Sequence, residues 1–316
     1  MRNLILFITC LSLPSQSYAL SEKRNGFSGE ISLTTGVTMN SSNLSTNSSK
    51  KIENLNHSED LDSNFLIAPI GELAYNFNDG NSEFYIGQDR SDIAVGALAF
   101  QIGYKQTLDS GMDLSVAYIP TIIKREVWED PYLVGTNRNE TKVDGQAYRI
   151  KLDRVAQYLN FEFAYGTKDV ESEQITDPSL KRDSNMYYGT VGTFFPVNRG
   201  LFLSPKIKYL HNDAEGEAAT YDRFGFDLTT VGKFNSFDLA LTIGYANNDY
   251  AAESSLFSKT REDKELRLFV AYEREGFLNI NDLYFVTLLG YKEIDSNINF
   301  YDSEEVIAMI GTNLKF

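Results

Sequence analysis

Short turns and long polar loops alternate along this chain, and they separate segments in which apolar and polar residues alternate. Short turns are predicted at 78–81, 109–111, 154–156, 198–200 and 235–236. Long polar loops are predicted at 121–144, 167–184, 212–220 and 246–262. Period two is strand geometry, because successive side chains of a strand point to opposite faces. A membrane-spanning β-barrel typically has its short turns at one end and its long loops at the other.

The sequence therefore predicts an all-β fold, a transmembrane antiparallel up-and-down β-barrel of about 14 strands, with 12 strands as the alternative. An even count brings both ends of the barrel to the same side of the membrane. In a soluble sandwich one strand face packs on a dry core and the other meets water, and nothing sorts the loops by length. No segment beyond the first nineteen residues approaches the roughly 18 apolar residues of a membrane helix.

The first nineteen residues are predicted to be a secretory signal. Arg2 forms a short basic region, residues 4–13 form an apolar one, and cleavage is expected after Ala19. The remainder, 20–316, is predicted to be one outer-membrane barrel domain. The single Cys, Cys10, lies within the signal. The mature chain therefore has no thiol chemistry and no disulfide.

The last predicted strand ends on an aromatic residue. Counting back by twos from Phe316 gives Leu314 and Ile310 on one mostly apolar face. This pattern resembles the terminal strand that the insertion machinery of outer-membrane barrels recognises. We predict that these three residues form the insertion signal. A soluble sheet that ends on Phe is the alternative.

The composition suits a barrel with aromatic girdles. Aromatic residues make up 13% of the chain, with 19 Tyr and 21 Phe, and many Tyr lie at predicted strand ends. The formal charge of −15 argues against nucleic acid as a partner. The expected partners are outer-membrane lipid and lipopolysaccharide, the barrel-assembly machinery, and small solutes.

Charged residues of both signs take the strand face opposite the aromatics. By this parity the lumen should contain Glu30, Lys105, Arg149, Lys151, Glu162, Lys206, Lys208, Asp227, Asp238 and Arg267. A polar interior suits a water-filled pore, and it can set ion preference. About fourteen strands enclose more space than side chains fill, since eight strands already reach that limit. The alternative is that these charges pair with one another and plug the barrel.

Four of these cations are predicted to form a basic strip on one wall. Arg149 and Lys151 lie on one strand, and Lys206 and Lys208 lie two strands away with the same parity. A cation that faces lipid near the midplane costs about 2–4 kcal/mol, so the lumen is the expected side. Acids such as Glu30 and Asp238 are expected on other parts of the wall.

One long loop has unusual chemistry. It contains the only Trp of the chain, followed by two carboxylates, a second aromatic residue and an Arg: Trp128, Glu129, Asp130, Tyr132 and Arg138. Asp-Pro opens turns. These residues could bind a sugar or form a constriction in the lumen. Equally, they could form a packed loop that caps the barrel mouth.

Catalytic and metal-binding signals are weak. A hydrolase at the barrel rim needs a His beside a Ser, Asp or Asn. The chain has two His, of which His57 lies in a Ser/Asn-rich loop and His211 at a strand end. The segment 295–306 resembles a calcium loop but has Phe300 at position six and Val306 at position twelve. The sequence predicts no enzyme, no metal and no cofactor.

Several segments resemble an uncharacterised domain-of-unknown-function family of porin-like outer-membrane proteins from marine gammaproteobacteria. They are FSGEISL, GYKQTLDSG, WEDPYLVGTNR, AEGEA and NINFYD, of which WEDPYL is the most specific. The resemblance covers essentially the whole mature chain. It implies a signal peptide and a β-barrel, and it implies no established substrate.

The favoured function is a porin-like channel for passive passage of small hydrophilic solutes or ions. The second hypothesis is a non-conducting surface barrel that acts as an adhesin, receptor or structural protein. The third is a rim-site hydrolase.

Overall fold

The computed structural model describes residues 25–56, 61–88, 99–122 and 124–316. The signal-peptide prediction, its cleavage site after Ala19, Cys10 and His57 lie outside the described residues. Within them, the helical elements are short 3-10 turns, and no helix is long and apolar enough to cross a membrane.

The described chain is built almost entirely of antiparallel strands. Their bounds are β1 Gly26–Ser41, β2 Asp62–Phe77, β3 Ser82–Gln88, β4 Phe100–Thr107, β5 Asp113–Pro120, β6 Arg125–Trp128, β7 Glu140–Val155, β8 Leu159–Val170, β9 Ser184–Thr193, β10 Phe195–Pro196, β11 Leu201–Ala214, β12 Tyr221–Lys233, β13 Phe237–Ser254, β14 Lys259–Arg274, β15 Leu283–Ser296 and β16 Ser303–Lys315. The 3-10 turns are Pro178–Leu180, Glu217–Ala219, Phe277–Asn279 and Asn299–Tyr301.

The described strands close into a ring, because β16 pairs with β1 from Glu30↔Lys315 to Ser41↔Glu304. Each strand pairs with the next one along the ring, which uses every strand except the short β6 and β10. Those two attach to β7 and β11. Fourteen strands therefore form the barrel, and the predicted up-and-down antiparallel fold is confirmed.

Strand β13 shows how the sequence pattern becomes two faces. Leu239, Leu241 and Ile243 are exposed, while Ala240 and Thr242 between them are buried. The exposed face is the outer wall of the barrel, and the buried face lines the lumen. An outer wall of exposed apolar side chains is stable when lipid covers it.

Aromatic pairs lie at both ends of the outer wall. Near the long loops, Tyr118 packs against Tyr148 with ring centroids 5.3 Å apart, and the Tyr118 hydroxyl donates to Gln146. Near the short turns, Tyr104 packs against Phe84 at 5.1 Å, and its hydroxyl donates to Gln106 at 2.5 Å. A ring with a polar tip favours the interface between lipid and water, so these rows form two girdles.

All four predicted loops contain some strand, and two of them contain the most. Of the predicted loop 246–262, only 255–258 connects β13 to β14, because polar residues continue the ladder above the membrane, as in Asn248↔Asp263. Of the predicted loop 121–144, the stretch Arg125–Trp128 pairs with the upper part of β7. Polar strands that rise beyond the lipid lose the apolar alternation by which membrane strands are recognised.

Candidate functional site

The charged residues expected in the lumen lie on the strand face that points inward, or they contact residues on that face. Asn313 donates to Glu30 at 3.0 Å, and Lys105 lies 2.9 Å from Glu83. Residues Lys151, Lys206 and Asp238 have acidic register partners on neighbouring strands, namely Glu162, Asp227 and Glu273.

An acid adjoins two cations of the predicted basic strip. Lys208 Nζ donates to Asp227 at 2.7 Å, and Arg149 lies 3.5 Å from Glu162. Arg149 also donates to the buried amide oxygen of Gln101. The wall is therefore a mixture of paired charges rather than a band of one sign.

Asp227 holds two strands of the wall together across a glycine. Arg267 Nη2 donates to both carboxylate oxygens of Asp227, at 2.7 and 2.9 Å. Gly244 lies between them in register, and a Cβ there would approach Asp227 Oδ1 to 2.5 Å. The pair therefore runs along the wall in the space that the missing side chain leaves.

A second pair repeats this arrangement nearer the long loops. Arg223 donates to Glu265 through Nη2 and Nη1, at 2.6 and 3.0 Å, and Nη1 also donates to Asn248, its register partner on β13, at 3.2 Å. Lys292 Nζ lies 3.7 Å from the same carboxylate. We call Lys208, Arg223, Asp227, Glu265, Arg267 and Lys292 the ion-pair lattice. Breaking one partner of the buried pairs Arg267–Asp227 or Arg223–Glu265 costs about 3–5 kcal/mol, so these two pairs are a fixed part of the wall.

Nearer the short turns, apolar side chains point into the lumen. This apolar layer consists of Leu66, Ala68, Ile70, Phe269, Ala271, Leu288, Ile307 and Met309, all buried. Leu66 and Met309 are both register partners of Gly36, which leaves room for them to fold over β1. The layer narrows the lumen on the side of β14, β15, β16 and β2.

The described residues enclose a cavity of about 500 Å³ between the apolar layer and the long loops. On one side its lining is charged, with Lys208, Arg223, Glu265, Arg267, Lys292 and Glu305. On the other side the lining is mostly small or apolar, with Ala147, Ala164, Met186 and Tyr188 beside Arg149 and Glu162. The cavity is therefore amphipathic.

The long loops pack together over the end of the barrel. We call this assembly the cap; its segments are 42–56, 129–139, 171–183, 215–220, 255–258 and 297–302. Strand β7 lies nearly opposite β16 in the ring. The segment 129–139 therefore reaches across the mouth to meet the loop before β16.

Trp128, the last residue of β6, packs against Arg138 of the cap, and this pair is the centre of one half of the loop packing. The Trp128 side chain is fully buried, and its Nε1 donates to the carbonyl of Ser45 at 3.1 Å. The Arg138 guanidinium lies 4.3 Å from the indole centroid and donates to the carbonyls of Asn43 (2.7 Å) and Pro131 (3.2 Å). A cation–π contact and charged hydrogen bonds thus fix both loops.

Four aromatic rings form the other half of the cap. Tyr132, Phe257, Phe300 and Tyr301 pack with centroids 5.1 to 6.4 Å apart. The hydroxyls of Tyr132 and Tyr301 share a hydrogen bond of 3.0 Å. Burial raises the pKa of both phenols, because the charged form would be poorly solvated there.

The two carboxylates of the loop motif hold its backbone. Glu129 accepts hydrogen bonds from Ser172 Oγ and, through its carbonyl, from the Gln174 amide, both at 2.9 Å. Asp130 accepts from the amide of Tyr132 at 2.8 Å, which forms a turn. The five motif residues thus take part in loop packing.

The terminal strand closes the barrel. Phe316 exchanges two backbone hydrogen bonds with Gly29, at 2.8 and 3.0 Å. Ile310, Leu314 and Phe316 are all exposed on the outer wall. Their side chains are available to an insertion partner or to lipid.

His211 lies in an outer girdle row rather than in the lumen. Its Nδ1 is 2.9 Å from Asp222, which also accepts from the Tyr209 hydroxyl at 2.7 Å, and Tyr187 stacks on the imidazole. The His–Asp pair is accounted for by this row of aromatic and polar residues.

The sequence argument missed the apolar layer and half of the ion-pair lattice. Runs such as NFLIAPI, LFVAY and VTLLGY are apolar on both faces, and that signal marks strands whose lumen side is also apolar. Arg223, Glu265 and Lys292 share the parity of the residues that were identified. Their partnership depends on register between strands, which parity does not supply.

These features define a protein of the outer-membrane β-barrel class with a porin-like fold. The chain belongs to the family described as "Protein of unknown function (DUF2860)", which matches residues 26–315 and confirms the resemblance to an uncharacterised family. No curated protein matches the sequence.

Solved outer-membrane barrels are similar in fold. The TodX monoaromatic hydrocarbon channel, in a deltaS2 mutant, is 10% identical, with 93% of this chain and 91% of that chain covered and a TM-score of 0.51. Pseudomonas aeruginosa OprD is 10% identical over 94% and 97% of the chains, with a TM-score of 0.39. The channel DcaP of Acinetobacter baumannii is 11% identical over 92% and 98%, with a TM-score of 0.46.

Proposed function

We propose that this protein is a porin-like channel that lets small hydrophilic solutes or ions cross the outer membrane. The ion-pair lattice carries the proposal. The Asp227–Arg267 pair runs along the wall over Gly244, and the Arg223–Glu265 pair joins strands of the same wall instead of meeting across the lumen. Charges that simply plugged the barrel would have no need of a glycine beneath them. The lattice leaves a cavity of about 500 Å³ in the described lumen.

The cap and the apolar layer favour a second candidate, a non-conducting surface barrel. The cap lies over the mouth and presents packed loops to the outside, and the apolar layer narrows the lumen from one side. Swelling of proteoliposomes in a monosaccharide distinguishes the two functions. A channel swells the vesicles, and a variant with a loosened cap, Arg138→Ala, should swell them faster. If neither the wild type nor Arg138→Ala swells the vesicles, the result supports the surface barrel.

Ion preference is a finer test of the channel. We propose that Arg149, Lys151, Lys206 and Lys208 set the field in the lumen. Changing all four to Gln leaves Asp227 and the other acids in place, so the reversal potential should shift toward cation preference. A control with four Gln substitutions at exposed loop lysines has the same net charge and should not shift. Equal reversal potentials in both variants would show that these four cations do not line the conducting path.

We also propose that the barrel acts without catalysis, since His211 has partners that account for its position. Its biogenesis is proposed to involve cleavage after Ala19, recognition of Phe316 by the barrel-assembly machinery, and contact of the girdles with lipopolysaccharide. Amino-terminal sequencing of the membrane-inserted protein tests the cleavage site.

A further inference from the structure

The lumen cavity has a charge that opposes that of the whole chain. Its wall includes five cations: Lys208, Arg223, Arg267, Lys292 and Arg149. Four acids accompany them: Glu162, Glu265, Glu305 and, bonded to Lys208, Asp227. Among the described residues the formal balance is one positive charge, in a chain whose formal charge is −15. The cavity is a local positive region inside an acidic protein.

The cavity is also apolar where it is not charged. Met186, Ala147 and Ala164 lie on the side away from the lattice, and Tyr188 adds an aromatic ring. Ile307 joins the cavity to the apolar layer beneath it. A solute that moves toward the short-turn end of the barrel passes beside this layer. An apolar body is favoured there, because its contact with the layer removes apolar surface from water.

The most exposed cation of the lattice is Lys292. Its side chain is 30% exposed, against 22% for Arg223, 11% for Arg267 and 9% for Lys208. Its distance of 3.7 Å from Glu265 is longer than the 2.6 Å of Arg223 to the same carboxylate. The register partner of Lys292 on β16 is Glu305. Lys292, Glu305 and Glu265 all line the cavity, where Arg223 also neutralises Glu265. Lys292 is therefore the lattice cation that a solute in the cavity meets most readily.

We propose that the cavity binds compact organic anions with one carboxylate and an apolar body, with Lys292 as the residue that selects for the negative charge. This inference rests on the proposed channel function and names the class of solute. A single negative charge balances the wall. A second one would approach Glu265 and Glu305, and a cation would add to the positive excess. A volume of about 500 Å³ is within the usual range for small-ligand sites.

Calorimetric titration of the refolded full chain in detergent tests the site with three probes of similar size. Benzoate, benzylamine and benzyl alcohol share one ring and differ in charge. Benzoate should bind at least fivefold tighter than the other two. Equal binding of benzoate and benzylamine overturns the proposal.

Charge reversal separates selection from structural damage. Lys292→Glu should make benzylamine the tighter ligand, and Lys292→Gln should bring benzoate within twofold of benzyl alcohol. A merely structural role would weaken all three probes together. The control Lys233→Gln makes the same charge change near the short turns and should leave benzoate binding unchanged. An equal loss in that control contradicts a local effect of Lys292.

Bilayer recordings on the same preparations distinguish failure of this site from failure of the channel. If benzoate binds but no conductance is recorded, the channel function is wrong and the binding site stands. If the protein conducts but binds the three probes equally, the channel function stands and the binding site is overturned. If Lys292→Glu does not fold, Lys292→Gln and the three wild-type titrations still decide the question.

Discussion

Arg138→Ala should open the cap while leaving the barrel closed. The guanidinium is 1% exposed and donates to the carbonyls of Asn43, Pro131 and Ser49. A hydrogen bond from a charged group contributes about 1.5–3 kcal/mol, and the stacking on Trp128 about 2 kcal/mol when desolvated. These contributions are not additive, because the loops relax. The expected loss of cap stability is about 3–5 kcal/mol.

Trp128 reports this loss directly, because it is the only Trp in the chain. With a urea dependence of about 1–3 kcal/mol/M, the midpoint of the Trp128 emission change should fall by about 2 M. The heat-modifiable gel mobility of the barrel should keep its wild-type midpoint. Arg138→Lys retains the charge but not the planar fork, so its Trp128 midpoint should lie between those of the wild type and Arg138→Ala.

The control is Arg154→Ala at a short turn. Arg154 is 41% exposed and lies 2.6 Å from Asp113, a surface pair worth about 0–1 kcal/mol. Its Trp128 midpoint should match the wild type. The reasoning is refuted if the Trp128 midpoint of Arg138→Ala equals that of the wild type. It is also refuted if the cap and the barrel of this variant unfold at the same urea concentration.

Four further outcomes are expected. Gly244→Val should displace the ion pair that crosses it and lower the thermal midpoint of the barrel, whereas Gly244→Ala should do so less. Deletion of Phe316 should leave precursor in the periplasm, and normal surface amounts in fractionated cells would count against the insertion signal. A protease site placed at 255–258 should be cut on intact cells and one at 198–200 should not; the reverse pattern would invert the topology. Because burial raises the pKa of Tyr301, the stability gained from a neutral phenol is present below about pH 10 and is lost as the pH rises further. The alkaline change in Trp128 emission should therefore shrink in Tyr301→Phe.

The barrel could be predicted from sequence because its signals are local. Alternation such as Leu239, Leu241 and Ile243 against Ala240 and Thr242 is a property of one strand. Turn residues at 78–81 and the polar loops are equally local. An even number of such strands then allows β16 to pair antiparallel with β1.

The lumen could be predicted only in part, because its chemistry depends on pairs of strands. Parity places Asp227 and Arg267 in the lumen, but their bond requires a glycine at position 244 and the register of three strands. The packing of the cap could not be predicted from the sequence. Trp128 meets Ser45 across more than eighty residues of sequence, and no period or spacing encodes that contact.

Planar-bilayer recording of the refolded wild-type protein tests the central claim most directly. A channel of the proposed kind opens in discrete steps of uniform size, and Arg138→Ala increases the time spent open because the cap no longer holds across the mouth. A folded, heat-modifiable barrel that stays silent, with its cap intact or loosened, would contradict a conducting lumen and leave the surface-barrel function.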